Sequence, residues 1–83
     1  MPTRVLLVDD HELIRQGLRR AFERTDDFDV VGEADSIASA EELLAAGMPD
    51  VVIFDVRLPD GSGLDATRRA RSTHPDLGIV VNI

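Results

Sequence analysis

Apolar and polar positions follow two rhythms along this chain. Arg4-Val5-Leu6-Leu7-Val8 is a short run, apolar after its first residue, that stops at Asp9-Asp10. Its length and polar bounds predict a strand buried on both faces, as in a parallel sheet. From His11 to Arg24 the spacing changes. Leu13, Ile14, Leu18, Ala21 and Phe22 fall on one helical face, with Arg15, Arg19, Arg20 and Glu23 elsewhere. Asp9 or Asp10 is placed to cap the start of that helix, where negative charge suits its dipole. Asp26-Asp27-Phe28-Asp29 reads as a turn and Val30-Val31-Gly32-Glu33-Ala34 as a second strand. Ser36 predicts the N-cap of a helix running to Ala46, with Ile37, Ala40, Leu43 and Leu44 as its apolar side. Gly47 closes it and Pro49 prevents its resumption. Val51-Val52-Ile53-Phe54 is a third strand, again ending at an acid, Asp55. Residues 58–63 form a turn-rich loop. A helix from about Leu64 to Thr73 follows, with Leu64, Thr67, Ala70 and Arg71 near one side, and His74-Pro75-Asp76 ends it. Gly78 to Ile83 is a fourth apolar strand.

Buried strands joined by amphipathic helices imply right-handed crossovers and a parallel sheet, an α/β fold. No repeat, low-complexity tract or linker interrupts the pattern, so residues 1–83 read as one unit.

Composition narrows the function. The formal net charge is -7. That argues against binding of nucleic acid by this segment, which needs basic residues in excess, and against an anionic membrane surface. All nine basic residues are Arg, and Lys is absent. With no Cys there are no thiolate nucleophiles or disulfides. His11 and His74 form no metal pattern. No signal sequence precedes the first strand and no apolar run approaches the roughly 18 residues of a membrane helix. The expected location is the cytoplasm.

The acids at the strand ends carry the chemistry. Open parallel sheets bind ligands beyond the carboxyl ends of their strands, where strand order reverses. Asp9 and Asp10 end the first strand and Asp55 ends the third. In a flavodoxin-like order, 2-1-3-4-5, those strands are neighbours and the three carboxylates converge. Any one of them could simply cap a helix. Three at equivalent strand ends favour a function, because clustered like charges are costly without a cation. Mg²⁺ suits them, since it takes oxygen ligands and keeps several waters. A carboxylate can also serve as nucleophile, giving an aspartyl phosphate.

Val5-Leu6-Leu7-Val8-Asp9-Asp10-His11 resembles the opening of a response-regulator receiver domain. Asp55-Val56-Arg57-Leu58-Pro59-Asp60-Gly61-Ser62-Gly63 resembles the family's phosphorylation loop. Val30-Val31-Gly32-Glu33-Ala34 and the Asp-Asp-His-Glu opening are similar to the NarL/FixJ (LuxR-type) branch. The likeness covers essentially the whole chain. It implies a CheY-like, doubly wound parallel sheet, here incomplete after the fourth strand. It implies Asp55 as phosphoacceptor, and Asp9 and Asp10 as the acidic pair holding Mg²⁺, with Asp10 the first choice as direct ligand. The backbone carbonyl of Arg57 would complete the protein ligands, and Pro59 and Gly63 would shape the loop. The implied partner is a sensor histidine kinase, and DNA is reached only through an output domain that this chain lacks. The domain would accept phosphate without being a turnover enzyme.

Departures from the family pattern matter too. The family places Ser or Thr at the end of the fourth strand, where this chain has Ile83 or the position just after it. The family's Lys and aromatic switch on a fifth strand have no counterpart here. Little stable phosphoryl adduct is therefore expected on the 83-residue form. Its fourth strand is expected to be an exposed edge, and the missing last helix to leave Val5, Leu7 and Val52 or their alternates partly in water, so that the chain dimerises or exchanges strands, aggregates, or is part of a longer one.

Two other functions compete. A Mg²⁺-dependent aspartyl phosphotransferase or phosphatase would want a second Asp two residues after the nucleophile, where this chain has Arg57. A phosphorylation-independent interaction module would not need three clustered acids. Among smaller signals, Arg68, Arg69 and Arg71 read as a solvated helix face, and His11 as the first turn of a helix that could tune the acids. Asp60 reads as a turn former with Gly61, exposed enough to touch a kinase.

Overall fold

A computed structural model describes residues 1–47 and 49–82. The elements run β1 (Thr3–Val8), α1 (Glu12–Glu23), β2 (Phe28–Ala34), α2 (Ile37–Ala45), β3 (Val51–Asp55), β4 (Arg57–Leu58), β5 (Gly61–Ser62), α3 (Gly63–Thr73) and β6 (Gly78–Asn82). β1, β2, β3 and β6 form one parallel sheet in the order β2-β1-β3-β6. This is the predicted α/β arrangement, with β1 and β3 adjacent. The expectation for Ile83 falls outside the described residues. Among the described residues no helix is long and apolar enough to cross a membrane.

The central strands are apolar on both faces because both faces are covered. Leu6 and Val8 of β1 and Val52 and Phe54 of β3 face α2 and α3, and pack with Ile37, Ala40, Leu44, Ala66 and Ala70. Val5 and Leu7 point to the α1 side. Both are buried, and so is Val52, which pairs in register with Leu6 and therefore shares that residue's face. The expectation that these three lie partly in water is not met. Among the described residues, the large apolar side chains that do meet water on the α1 side include Leu13, Ile14, Phe28 and Val80.

Three local readings change for physical reasons. α3 buries Gly63, Ala66 and Ala70, while Leu64 stays exposed. Small residues let the helix lie close to the sheet, and hydropathy alone misses such a face. α1 turns Arg15, Leu18 and Phe22 inward, and none of its residues is fully buried. The acids before α1 do not cap it through their side chains. The N-cap is His11, which makes no side-chain cap bond. The other helix ends behave as expected. Ser36 caps α2 through the amide of Ser39, and Gly47 closes that helix at φ +71°.

Candidate functional site

The two central strands bring the acids together. Val8 pairs with Phe54 in the β1–β3 register, so the next residue on each strand, Asp9 and Asp55, lies at the same edge of the sheet. Asp9 stays in line with β2 by donating its amide to the Ala34 carbonyl at 3.0 Å. Its side chain is buried, that of Asp55 is 17% exposed, and that of Asp10 is 38% exposed. Exposure of the three carboxylates thus rises from Asp9 through Asp55 to Asp10.

One ligand atom from each of Asp9, Asp10, His11 and Asp55 lies within 4.8 Å of all the others. The sequence reading set His11 beside the acids as a residue that could tune them but in no metal pattern, and the β1–α1 turn brings its ring in among all three. Asp9 Oδ1 accepts the His11 amide at 2.8 Å and lies 2.7 Å from His11 Nδ1. The same nitrogen is 3.1 Å from Asp10 Oδ1 and 3.7 Å from Asp55 Oδ2. The hydrogen bond that His11 donates to Asp9, then the charge of Asp10, raise the His11 pKa above its ordinary value. The ring sits where a positive charge is favoured.

Oxygen donors from three carboxylates, close together and with Asp10 and Asp55 in contact with solvent, fit a hard divalent cation that keeps part of its water shell. Arg15 and Glu33 brace the pocket from behind. Arg15 reaches the Asp9 carbonyl with Nη1 and Glu33 Oε1 with Nε at 3.3 Å, and Arg19 also pairs with Glu33. Sequence reasoning set Arg15 apart from the apolar face of α1. The signal that could have found it is its helical spacing from Leu18 and Phe22.

The turn-rich loop expected after Asp55 takes the form of a short antiparallel hairpin, β4 with β5. The Arg57 amide donates to Asp55 Oδ1 at 3.3 Å, and the Arg57 side chain is exposed. The Gly63 amide donates to the Val56 carbonyl at 2.8 Å. A Cβ on Gly63 would collide with the Asp55 carbonyl, so the expected close packing at this glycine is present. Asp60 is not merely a turn former. Its carboxylate accepts the amides of Ile37 and Ala38 across the molecule. The arginines of α3 lie on the surface, where Arg68 faces Asp65 and Arg69 faces Glu41.

Comparison with known proteins places this geometry. The profile of the response regulator receiver domain matches residues 5–82. The DNA-binding transcriptional activator DevR/DosR of Mycobacterium tuberculosis is 46% identical over 78 residues, covering 94% of this chain and 36% of that protein. The response regulator GacA of Pseudomonas viridiflava is 44% identical over 77 residues, covering 93% of this chain and 36% of that protein. The chain therefore spans about a third of the length of these curated relatives. Among solved structures, a two-component response regulator of the LuxR family from Aurantimonas sp. SI85-9A1 superposes with a TM-score of 0.89 at 37% identity. That match covers 98% of this chain and 58% of the other.

Proposed function

The chain belongs to the response regulator receiver domain family, in its NarL/LuxR branch, and from that premise we propose that Asp55 accepts a phosphoryl group from a sensor histidine kinase. The observation that carries this reading is the gathering of Asp9, Asp10 and Asp55 at one sheet edge, with Asp10 and Asp55 in contact with solvent. An Asp55 carboxylate oxygen attacks the phosphorus of a phosphohistidine. The P–N bond breaks, and the departing imidazole nitrogen is protonated. Asp55 is partly exposed, so a donor can reach it, and its carboxylate is oriented by the Arg57 amide. Asp9, Asp10, Asp55 and the Arg57 carbonyl would hold Mg²⁺. When bound, the ion supplies positive charge to the phosphoryl oxygens. The chain's own part is to hold the acceptor in place and keep the acidic pair beside it. The domain then acts as a phosphoacceptor and not a turnover enzyme.

Residues 1–83 are read as the leading part of a receiver domain working in the cytoplasm. Control of transcription through a DNA-binding output domain is assigned to a longer protein of the kind its relatives represent. Self-association belongs to the same reading.

The deciding experiment treats the full-length protein with Mg²⁺ and a small acyl phosphate, then maps the adduct by mass spectrometry. The adduct is expected on Asp55 and absent from Asp55→Asn. An undiminished adduct in that variant moves the acceptor elsewhere.

A further inference from the structure

A helix begins with four amides that its own turns cannot satisfy. In α2 three of these, the amides of Ile37, Ala38 and Ser39, are taken up by two different parts of the chain. Ser36 takes one of them: its hydroxyl accepts the Ser39 amide at 3.1 Å, while its carbonyl starts the helix's own ladder by accepting the Ala40 amide at 3.1 Å. The other two belong to Asp60, at the tip of the β4–β5 hairpin. Asp60 Oδ1 accepts the Ile37 amide at 2.8 Å and Oδ2 accepts the Ala38 amide at 3.0 Å. These bonds hold the Asp60 carboxyl below its ordinary pKa. α1 and α3 each carry an acid in their first turn, Glu12 and Asp65, and α2 carries none. The negative charge that favours a helix N-terminus therefore reaches α2 from the acceptor loop.

A second observation fixes the same contact. Gly61 has φ +148°, and a Cβ there would sit 3.2 Å from Ile37 Cδ1, so the hairpin tip lies directly on the first residue of α2. Leu58 is buried in the same core cluster as Ile37. At its other end the hairpin is tied to the acceptor, through the Arg57 amide on Asp55 Oδ1 and the Gly63 amide on the Val56 carbonyl.

We propose that Asp60 is a positioning residue for phosphoryl acceptance: by pinning the hairpin to the N-terminus of α2, it fixes the Arg57 backbone beside the Asp55 carboxylate. The inference rests on the reading of Asp55 as acceptor. Without the two amide bonds the tip is free to lift from α2, and the Arg57 amide loses its fixed place. Displacements on the order of 1 Å at a reacting centre cost up to about a hundredfold in rate.

A purely structural role for Asp60 would act by loosening α2. Ser36→Ala provides that comparison, because it uncaps the same helix end without touching the hairpin. The full-length protein, Asp60→Ala, Asp60→Asn, Ser36→Ala and Asp55→Asn are labelled with acetyl phosphate across a range of Mg²⁺ concentrations, at a temperature where each is folded by circular dichroism. Asp60→Ala is expected to label roughly tenfold more slowly and to need more Mg²⁺ for half-maximal rate. Asp60→Asn keeps one acceptor oxygen and should recover part of the loss. Ser36→Ala should lower the melting temperature and leave rate and Mg²⁺ requirement unchanged. The proposal is overturned if Asp60→Ala labels like Ser36→Ala. Should Asp60→Ala not fold, Asp60→Asn labelling at the wild-type rate and Mg²⁺ requirement overturns it. Label that survives Asp55→Asn overturns the acceptor assignment, and this inference with it, in a separate sample.

Discussion

The guanidinium of Arg15 donates through Nη1 to the main-chain carbonyl of Asp9, so a residue of α1 holds the backbone that carries the acidic pair. The same guanidinium reaches Glu33 on β2 through Nε, and its side chain is only 16% exposed. One planar group thus serves two acceptors in two directions, a geometry that suits Arg and not Lys. Arg15→Met keeps the apolar stem but strands the Asp9 carbonyl and removes one partner of Glu33. Leaving a buried acceptor unsatisfied costs about 1–3 kcal/mol. The expected result is a lower urea midpoint for Arg15→Met, with Arg15→Lys recovering little of it. Wild-type midpoints in both variants would show that the bridge contributes nothing.

Acid should loosen the fold at identifiable places. The carboxyl of Asp60 is held below its ordinary pKa by the Ile37 and Ala38 amides, and that of Asp50 by the Arg4 amide and side chain. A depressed folded-state pKa means that the unfolded chain binds the proton more readily. The stabilisation is complete above the ordinary carboxylate value, about 3.9. It disappears as pH falls through the lower folded-state value. Asp60→Asn and Asp50→Asn should each flatten the acid limb of a stability-against-pH curve while leaving its shape near neutrality unchanged. Both groups are exposed, so high salt should reduce the effect.

Much of this was legible before any coordinates. Val5 to Val8 and Val51 to Phe54 are too apolar for anything but central strands, and each stops at an acid, so the site's three carboxylates follow from pattern and strand order together. What stayed hidden depends on contacts between segments distant in sequence. Asp60 beside Gly61 looks like a turn, and nothing near it in the chain announces the α2 amides it accepts. Gly63, Ala66 and Ala70 are too small to register as an apolar face, yet they are the side of α3 that meets the sheet. The charge of Arg15 sets it apart from the apolar face, although its spacing from Leu18 and Phe22 puts it on the inward side of α1. His11 reaches the acids only because the β1–α1 turn folds its ring back over Asp9.

Two glycines should respond oppositely to the same change. A Cβ on Gly63 would meet the Asp55 carbonyl and the Val56 Cα, and neither backbone atom can move without disturbing the acceptor loop. Gly63→Ala is expected to cost about 1–3 kcal/mol or more through overpacking. Gly17 lies within α1 with nothing inside 4 Å of an added Cβ. Gly17→Ala should stabilise by about 0.5–1 kcal/mol, because Ala favours the helix and restricts the unfolded chain. Thermal melts of the two variants give the signs directly. A neutral Gly63→Ala would contradict the close approach of α3 to Asp55.

Charge repulsion and metal binding at the acidic edge have separable effects on stability. Asp9, Asp10 and Asp55 hold like charges together, with His11 near them and a formal net charge of -7 on the chain. Mg²⁺ bound by a few protein ligands and several waters is expected to bind weakly, near millimolar. At about 10 mM, a site with a Kd of about 1 mM stabilises the folded state by about 1.4 kcal/mol. For a domain of this size that is a rise in Tm of roughly 6–11 °C. Asp55→Asn removes one of the crowded charges. It should melt higher than wild type without Mg²⁺, because less repulsion is stored in the fold, and it should gain less when Mg²⁺ is added. Asp10→Asn should behave in the same direction, and amide shifts near residues 10 and 55 should move less during titration. Equal Mg²⁺ responses in wild type, Asp10→Asn and Asp55→Asn would remove the case for a metal at these carboxylates. A lower metal-free Tm for Asp55→Asn would instead show that its bond to the Arg57 amide outweighs the repulsion. The two charge terms are thus read from one set of melts, with and without the ion.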